Sequence, residues 1–272
     1  QTFAALDYVL GEAKVPLVNP YAGAVEWYNP PRENLYGLQV PLESQGKLVG
    51  RWVAKEGHRK IIVVHLTLAG NERMANEFAI AAKKLNPSIS IENIGVKFGT
   101  ADLGPVALEI AGKKPDAVAM FLAQGETVGL AKEMLQQRVK TAMYSYAGVV
   151  TNSLIDLAGN SVEGMKAASF TVPPTHDNIA MRQYRAALAK VAPKEKPDYV
   201  SLDAYAMTQV FIEAVRRIEG PLTRQALTKS LDNLKNFSTG ILPAVGYGPD
   251  RHLGTTAMQL VQIQGGKWVV AG

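Results

Sequence analysis

The chain has 272 residues, 47% of them apolar and 19% charged, with 29 basic and 24 acidic side chains for a formal net charge of +5 and no cysteine. That length and balance belong to a globular chain of one large domain or two lobes, and the missing cysteines exclude disulfides, zinc–thiolate centres and thiol nucleophiles. The basic residues are dispersed, the densest points being the pairs Lys83–Lys84, Lys113–Lys114 and Arg216–Arg217 on expected helix faces; a nucleic-acid surface would need a basic stripe interleaved with aromatics, and no apolar run nears the roughly 18 residues of a membrane span.

The first element, FAALDYVLGEA (3–13), has the spacing of an amphipathic helix. KVPLV (14–18) follows as a short buried strand that stops at Asn19–Pro20 and opens into the small-residue loop Tyr21–Ala22–Gly23. IIVVH (61–65) is a continuous β-branched run, as in a strand covered on both faces. Residues 71–85 place Met74, Phe78, Ala81 and Leu85 at helical spacing. SISIENIGV (88–96) alternates like a strand, 103–112 reads as a helix, DAVAMFLA (116–123) as a second wholly apolar strand, 126–137 as a helix and TAMYSY (141–146) as a strand.

Strand and helix thus alternate over 61–146 with short connections, the pattern of an α/β fold with an open parallel sheet and helices on both faces. Ligands of such sheets bind at the carboxyl ends of the strands. Here those ends are 66–71, 123–125 and 146–149. VPPTH (172–176) interrupts the alternation and reads as a crossing between lobes; helices are expected at 178–191, 200–219 and 223–233. Strand-like runs close the chain: ILPAVGY (241–247), TTAMQLVQI (255–263) and KWVV (267–270), the last two joined by a Gly265–Gly266 hairpin turn. The helices of 178–233 need a sheet to cover. KVPLV and ILPAVGY alone are too few strands for one, so this second sheet is expected to be short of strands.

Five stretches, in this order, resemble the type I periplasmic solute-binding proteins of ABC transporters, in particular the leucine/isoleucine/valine-binding branch: KVPLVNPYAG (14–23), FGTADLGPVALEIAGKKPDAVAMFLAQGE (98–126), LIDLAGNSVEGMKAAS (154–169), YVSLDAYAMTQVFIEAV (199–215) and GYGPDRHLGTTAMQLVQIQGGKWVV (246–270). The resemblance runs over essentially the whole chain. It implies a two-lobed α/β fold, each lobe a doubly wound mostly parallel sheet, with lobe one formed by 1–43 and 173–254 and lobe two by 44–172 and 255–272. Lobe one is expected to be incomplete at its N-terminal part. It further implies an extracytoplasmic, periplasmic receptor, monomeric at full length and without a cofactor, that closes on a small solute and presents it to a membrane permease.

The same resemblance implies the site. The loop after the first matched strand, Tyr21, Ala22 and Gly23, would hold a ligand carboxylate through backbone N–H groups; Tyr21 could add a hydroxyl or a ring, or be a plain turn residue. After IIVVH the family's aromatic wall falls on Gly70, and Asn71 is expected to cap the next helix. Ala123 and Gln124 match a ligand-facing position, with a solvated loop glutamine as the alternative for Gln124. The acid that pairs with an amino acid's ammonium group falls on Ala147, beside Tyr146. A buried ammonium without a counter-charge is costly by several kcal/mol, so the expected ligand is a carboxylate lacking an amine, aromatic or aliphatic, unless Glu126 or Asp203 supplies the charge. Tyr205 matches a tyrosine that contacts ligand from lobe one, or is a core aromatic.

Enzyme signatures are wanting. His58, His65, His176 and His252 have no metal-ligand spacing, GETVGLAK (125–132) departs from the phosphate-loop pattern, and GxSxG and GxGxxG do not occur. His65 ends a buried strand, the place of a hydrogen-bonded core histidine. The alternative to a transport receptor is a ligand-sensing domain of the same fold in a regulatory or signalling protein; an α/β enzyme of another chemistry comes third.

Overall fold

The computed structural model describes residues 6–20 and 24–271. In chain order the elements are β1 (Leu17–Val18), β2 (Leu35–Tyr36), α1 (Leu42–Lys55), β3 (Lys60–Leu66), α2 (Ala69–Leu85), β4 (Ser90–Val96), α3 (Gly104–Lys113), β5 (Ala117–Phe121), α4 (Gln124–Gln136), β6 (Ala142–Ser145), α5 (Asn152–Ala158), β7 (Lys166–Ser169), α6 (Ile179–Val191), α7 (Tyr199–Arg216), α8 (Arg224–Asp232), β8 (Gln259–Gln264) and β9 (Lys267–Val270). The chain folds into two compact units. Unit 1 is Gln1–Pro41 with Phe170–Met258, and unit 2 is Leu42–Ser169 with Gln259–Gly272.

Unit 2 is built on a seven-stranded sheet of order β4-β3-β5-β6-β7-β8-β9. Pairing is parallel from β4 to β7 and antiparallel for β8 and β9. The apolar runs of β3 and β5 occupy the middle, where every residue of β5 is buried, because helices cover both faces of a parallel sheet. The chain runs from β3 to β4 on one side and then to β5 on the other, so the direction of winding reverses between β3 and β5. That reversal opens a crevice at their carboxyl ends.

Two glycines set how α1 lies on α2. A Cβ at Gly46 would stand 2.2 Å from the Met74 carbonyl oxygen, and one at Gly50 would stand 2.3 Å from that of Phe78. Four residues apart, they share one helix face and let the two backbones touch. The β8–β9 hairpin turns on Gly265 and Gly266, with φ of 58° and 70°, the two positive values a tight hairpin turn requires. The Glu163 carboxylate accepts both of their N–H groups, at 2.7 and 3.1 Å.

Among the described residues unit 1 has a sheet of two strands, β1 and β2, paired in parallel. Its main core gathers Met181 and Tyr184 of α6, Leu202, Ala206 and Val210 of α7, Leu231 of α8, and Ile241, Val245 and Tyr247. The helix expected over 3–13 is helical where it is described, with π geometry over Asp7–Glu12. Two strand expectations are corrected here, those at 15–18 and 241–247. The strand expected from Val15 is cut to two residues, since Pro16 has no N–H to donate and both Lys14 (φ 48°) and Asn19 (φ 54°) leave the extended region. ILPAVGY is no strand: Val245 makes a single bridge with Phe237, and the Thr239 hydroxyl oxygen accepts the N–H groups of Ile241 and Leu242 at 3.1 and 2.9 Å. Its apolar residues face a core of helices, and Pro243 denies it a ladder bond.

Candidate ligand site

The carboxyl ends of β3, β5 and β6 bring most of the expected unit 2 residues to one edge of the sheet. After β3, Leu68 is extended and α2 starts at Ala69, so Gly70 is the helix's second residue. Asn71, expected as the cap, is instead its third residue, and Leu68 holds the cap position without a side-chain bond. The Asn71 amide has a better use. It donates to the Phe121 carbonyl at 3.0 Å, a buried oxygen at the last residue of β5. The bond spans the β3/β5 crevice and fixes its two walls together.

After β5, Ala123 is the extended residue before α4 and Gln124 is the helix's first. Gln124 is half-buried. Its amide nitrogen donates to the Ser153 hydroxyl at 2.9 Å, and its oxygen accepts from the Thr151 hydroxyl at 2.8 Å. Thr151 also caps α5, accepting the Leu154 N–H at 3.0 Å. Gln124 thus braces the start of α5 against α4.

After β6, Tyr146 is extended and leads into a single 3-10 turn, Ala147–Val149. The Tyr146 ring stands edge-on to Phe121, with centroids 6.3 Å apart and planes at 83°. The Ala147 N–H donates to the Oε1 of Gln45 at 3.1 Å, so a buried glutamine of α1 pins the turn. Sequence reasoning missed Gln45, and only the polar residue on a mostly apolar helix face could have hinted at it. Glu126, a candidate counter-charge, is buried in α4 and accepts the Gly99 N–H at 2.7 Å. Its carboxylate is engaged in holding the β4–α3 loop. None of the edge residues Gly70, Ala123, Gln124, Tyr146 and Ala147 is an acid or a base that carries charge at neutral pH.

Unit 1 carries the remaining candidates. Tyr21, Ala22 and Gly23 lie outside the described residues. The residue ahead of them, Asn19, donates to the Met207 carbonyl at 2.9 Å and accepts the Tyr247 hydroxyl at 3.1 Å, which anchors the end of β1 on α7. Tyr205 is half-buried on α7 with its ring 5.5 Å from that of Tyr184. Asp203 is only 3% exposed, and neither carboxylate oxygen has a hydrogen-bond partner among the described residues. Burial pushes its carboxyl up from 3.8 to about 7, since desolvation penalises the charged form. His65 is half-buried with Nδ1 3.0 Å from the Leu66 carbonyl oxygen. Among the described residues no cluster of histidines and carboxylates could hold a metal ion, and no helix is long and apolar enough to cross a membrane.

With this geometry in place, the comparisons are decisive for the family. The family model for periplasmic binding proteins matches residues 1–267. The chain is a member of the periplasmic binding protein family. Its fold is the type I fold of that family, an α/β architecture with a mostly parallel sheet. Among solved structures, a branched-chain amino acid ABC transporter protein from Thermus thermophilus with bound valine aligns with a TM-score of 0.86 at 17% identity, covering 99% of this chain and 74% of that one. A solute-binding protein from R. palustris in complex with benzoate gives 0.84 at 19% identity, over 99% and 74%. A fatty acid ABC transporter substrate-binding protein from Thermomonospora curvata gives 0.85 at 16% identity, over 98% and 70%. No curated protein sequence matches the chain. At these identities the structural likeness speaks for the fold, and the family is one of solute-binding proteins.

Proposed function

We propose that this chain is the solute-binding receptor of an ABC transporter, working in the periplasm, and that its ligand is a small organic acid without an amine. The two compact units are taken as the two lobes of the receptor, and a membrane permease as its partner. One observation carries the choice of ligand: the carboxyl edge of unit 2 has Ala147 where an amino-acid receptor of this family would place an acid. An ammonium group brought there would lose its hydration without a counter-charge, a penalty of several kcal/mol. A carboxylate ligand needs only N–H and hydroxyl donors, and Tyr146 adds an aromatic surface. The range of molecules named for fold neighbours, from valine to benzoate and fatty acids, fits a scaffold whose specificity rests on a few side chains.

Tyr146, Ala147, Gln124, Ala123 and Gly70 are assigned to the ligand from unit 2, and Tyr21, Ala22, Gly23, Asp203 and Tyr205 from unit 1. Isothermal titration of paired ligands tests this: benzoate against phenylalanine, and isovalerate against valine. Binding of the amine-free member of each pair supports the proposal; binding of the amino acids alone refutes it.

A further inference from the structure

Gly148 has no conformational reason to be glycine. Its φ lies outside the left-handed range, and the residue is exposed. What excludes a side chain is the neighbouring ring. A Cβ at 148 would stand 2.6, 2.7 and 2.8 Å from Cε2, Cζ and Oη of Tyr146, against the 3.4–4 Å of ordinary contact. The Tyr146 ring therefore occupies the space that any other residue at 148 would fill. The backbone around it has little freedom to yield: Gln45 holds the Ala147 N–H, and the Val149 and Val150 N–H groups close the turn onto Tyr146 and Ala147. The ring also packs at 83° to that of Phe121, with centroids 6.3 Å apart.

We propose that Gly148 is a positioning residue that seats the Tyr146 ring, and that the seated ring makes the receptor prefer flat aromatic acids to aliphatic ones. The inference rests on reading Tyr146 as a ligand contact. A ring already held in one orientation presents its face to an incoming aromatic at no further ordering cost. Aromatic pairs depend on orientation in a way aliphatic contacts do not, their preferred arrangements being offset-stacked or edge-to-face with centroids 4.5–7 Å apart. Displacing the ring should therefore hurt an aromatic acid more than a branched aliphatic one of similar charge. The displaced group is the far end of a side chain rather than backbone, so the fold tolerates the change.

The test is a double-mutant cycle on the full chain with Gly148→Ala, Tyr146→Ala and the pair, titrated with benzoate and isovalerate, together with a crystal structure of Gly148→Ala. The ring should swing away from residue 148 in that structure. The benzoate-to-isovalerate affinity ratio should fall by about five- to tenfold in Gly148→Ala, whereas adding Gly148→Ala to Tyr146→Ala should change it by less than about twofold, because the two act through one ring. A ring left in place, an unchanged ratio, or an equal loss in the Tyr146→Ala background would each overturn the inference while leaving the receptor function standing. Failure of the unmutated chain to bind either acid would refute the organic-acid receptor itself, and the selectivity with it. The ring position in Gly148→Ala would then still decide whether Gly148 seats Tyr146.

Discussion

Replacing Asp203 by asparagine should make the stability of unit 1 less sensitive to pH, and the size of the effect follows from its surroundings. Asp203 is buried on α7 with neither oxygen hydrogen-bonded among the described residues, and its carboxyl is raised from 3.8 to about 7. A carboxyl raised in the folded state destabilises the fold once the unfolded chain ionises it. Stability is therefore fully present below pH 3.8 and is lost as pH rises to about 7, where the loss reaches about 4 kcal/mol. Over this window each pH unit removes about 1.4 kcal/mol. The amide of the variant would be neutral throughout, so Asp203→Asn should gain on the wild type by about 2.5 kcal/mol between pH 5 and pH 8. Urea unfolding at the two pH values measures this, the midpoint moving while the slope stays fixed. Trp27 is the one tryptophan of unit 1, whereas Trp52 and Trp268 belong to unit 2. Its fluorescence, with the other two changed to phenylalanine, isolates the relevant transition. Parallel pH profiles for the two proteins would mean that Asp203 stays ionised at little cost, and the account of it as a buried, unpartnered acid would fail.

Other expectations follow from unit 2. Gly50→Ala should destabilise by up to about 2 kcal/mol, since a Cβ placed 2.3 Å from the Phe78 oxygen brings an overpacking loss of about 1–3 kcal/mol, offset by a gain of about 1 kcal/mol from helix propensity. Gly112→Ala, in α3 with no atom within 4 Å, should stabilise by about 0.5–1 kcal/mol, and thermal unfolding of the two variants separates packing from propensity. Asn71→Leu should cost about 1–3 kcal/mol by leaving the Phe121 carbonyl unpartnered, and amide exchange should rise at the carboxyl ends of β3 and β5. Burial raises the Glu56 carboxyl, but hydrogen bonds from Lys166 and Tyr144 outweigh it and hold the group below 4.5. Its stabilisation is present above pH 4.5 and is lost as pH falls through the lowered value. The midpoint difference between wild type and Glu56→Gln should therefore narrow as pH falls below 4.5 in a thermal scan, and a constant difference would exclude this role.

What the sequence made legible was what burial dictates. β3 and β5 announce themselves because a strand covered on both faces carries an unbroken apolar run, Ile61–Val64 in β3 and all of β5, and the helices between them show their buried stripes. The segment 241–247 misled for the same reason in reverse: an apolar run can be buried among helices without pairing, and periodicity does not tell the two apart. At the site, the absence of an acid at Ala147 could be read directly. The uses of Asn71, Gln124 and Glu126 could not, because each bonds a group 27 or more residues away, and local propensity favours a cap, a solvated loop residue or a free acid at those places. Gln45 and Gly148 act through contacts that only the folded turn creates.

The most direct test of the central claim is a thermal-shift measurement of this chain with benzoate and isovalerate beside phenylalanine and valine, each from micromolar to millimolar. An amine-free acid at a hundred times its dissociation constant should stabilise the chain by about 2.7 kcal/mol and raise its midpoint accordingly, with the matching amino acids inert at the same concentrations. Midpoints that rise with the amino acids and stay fixed with the amine-free acids would contradict the account, and would show that a carboxylate such as Glu126 or Asp203 meets the ammonium group.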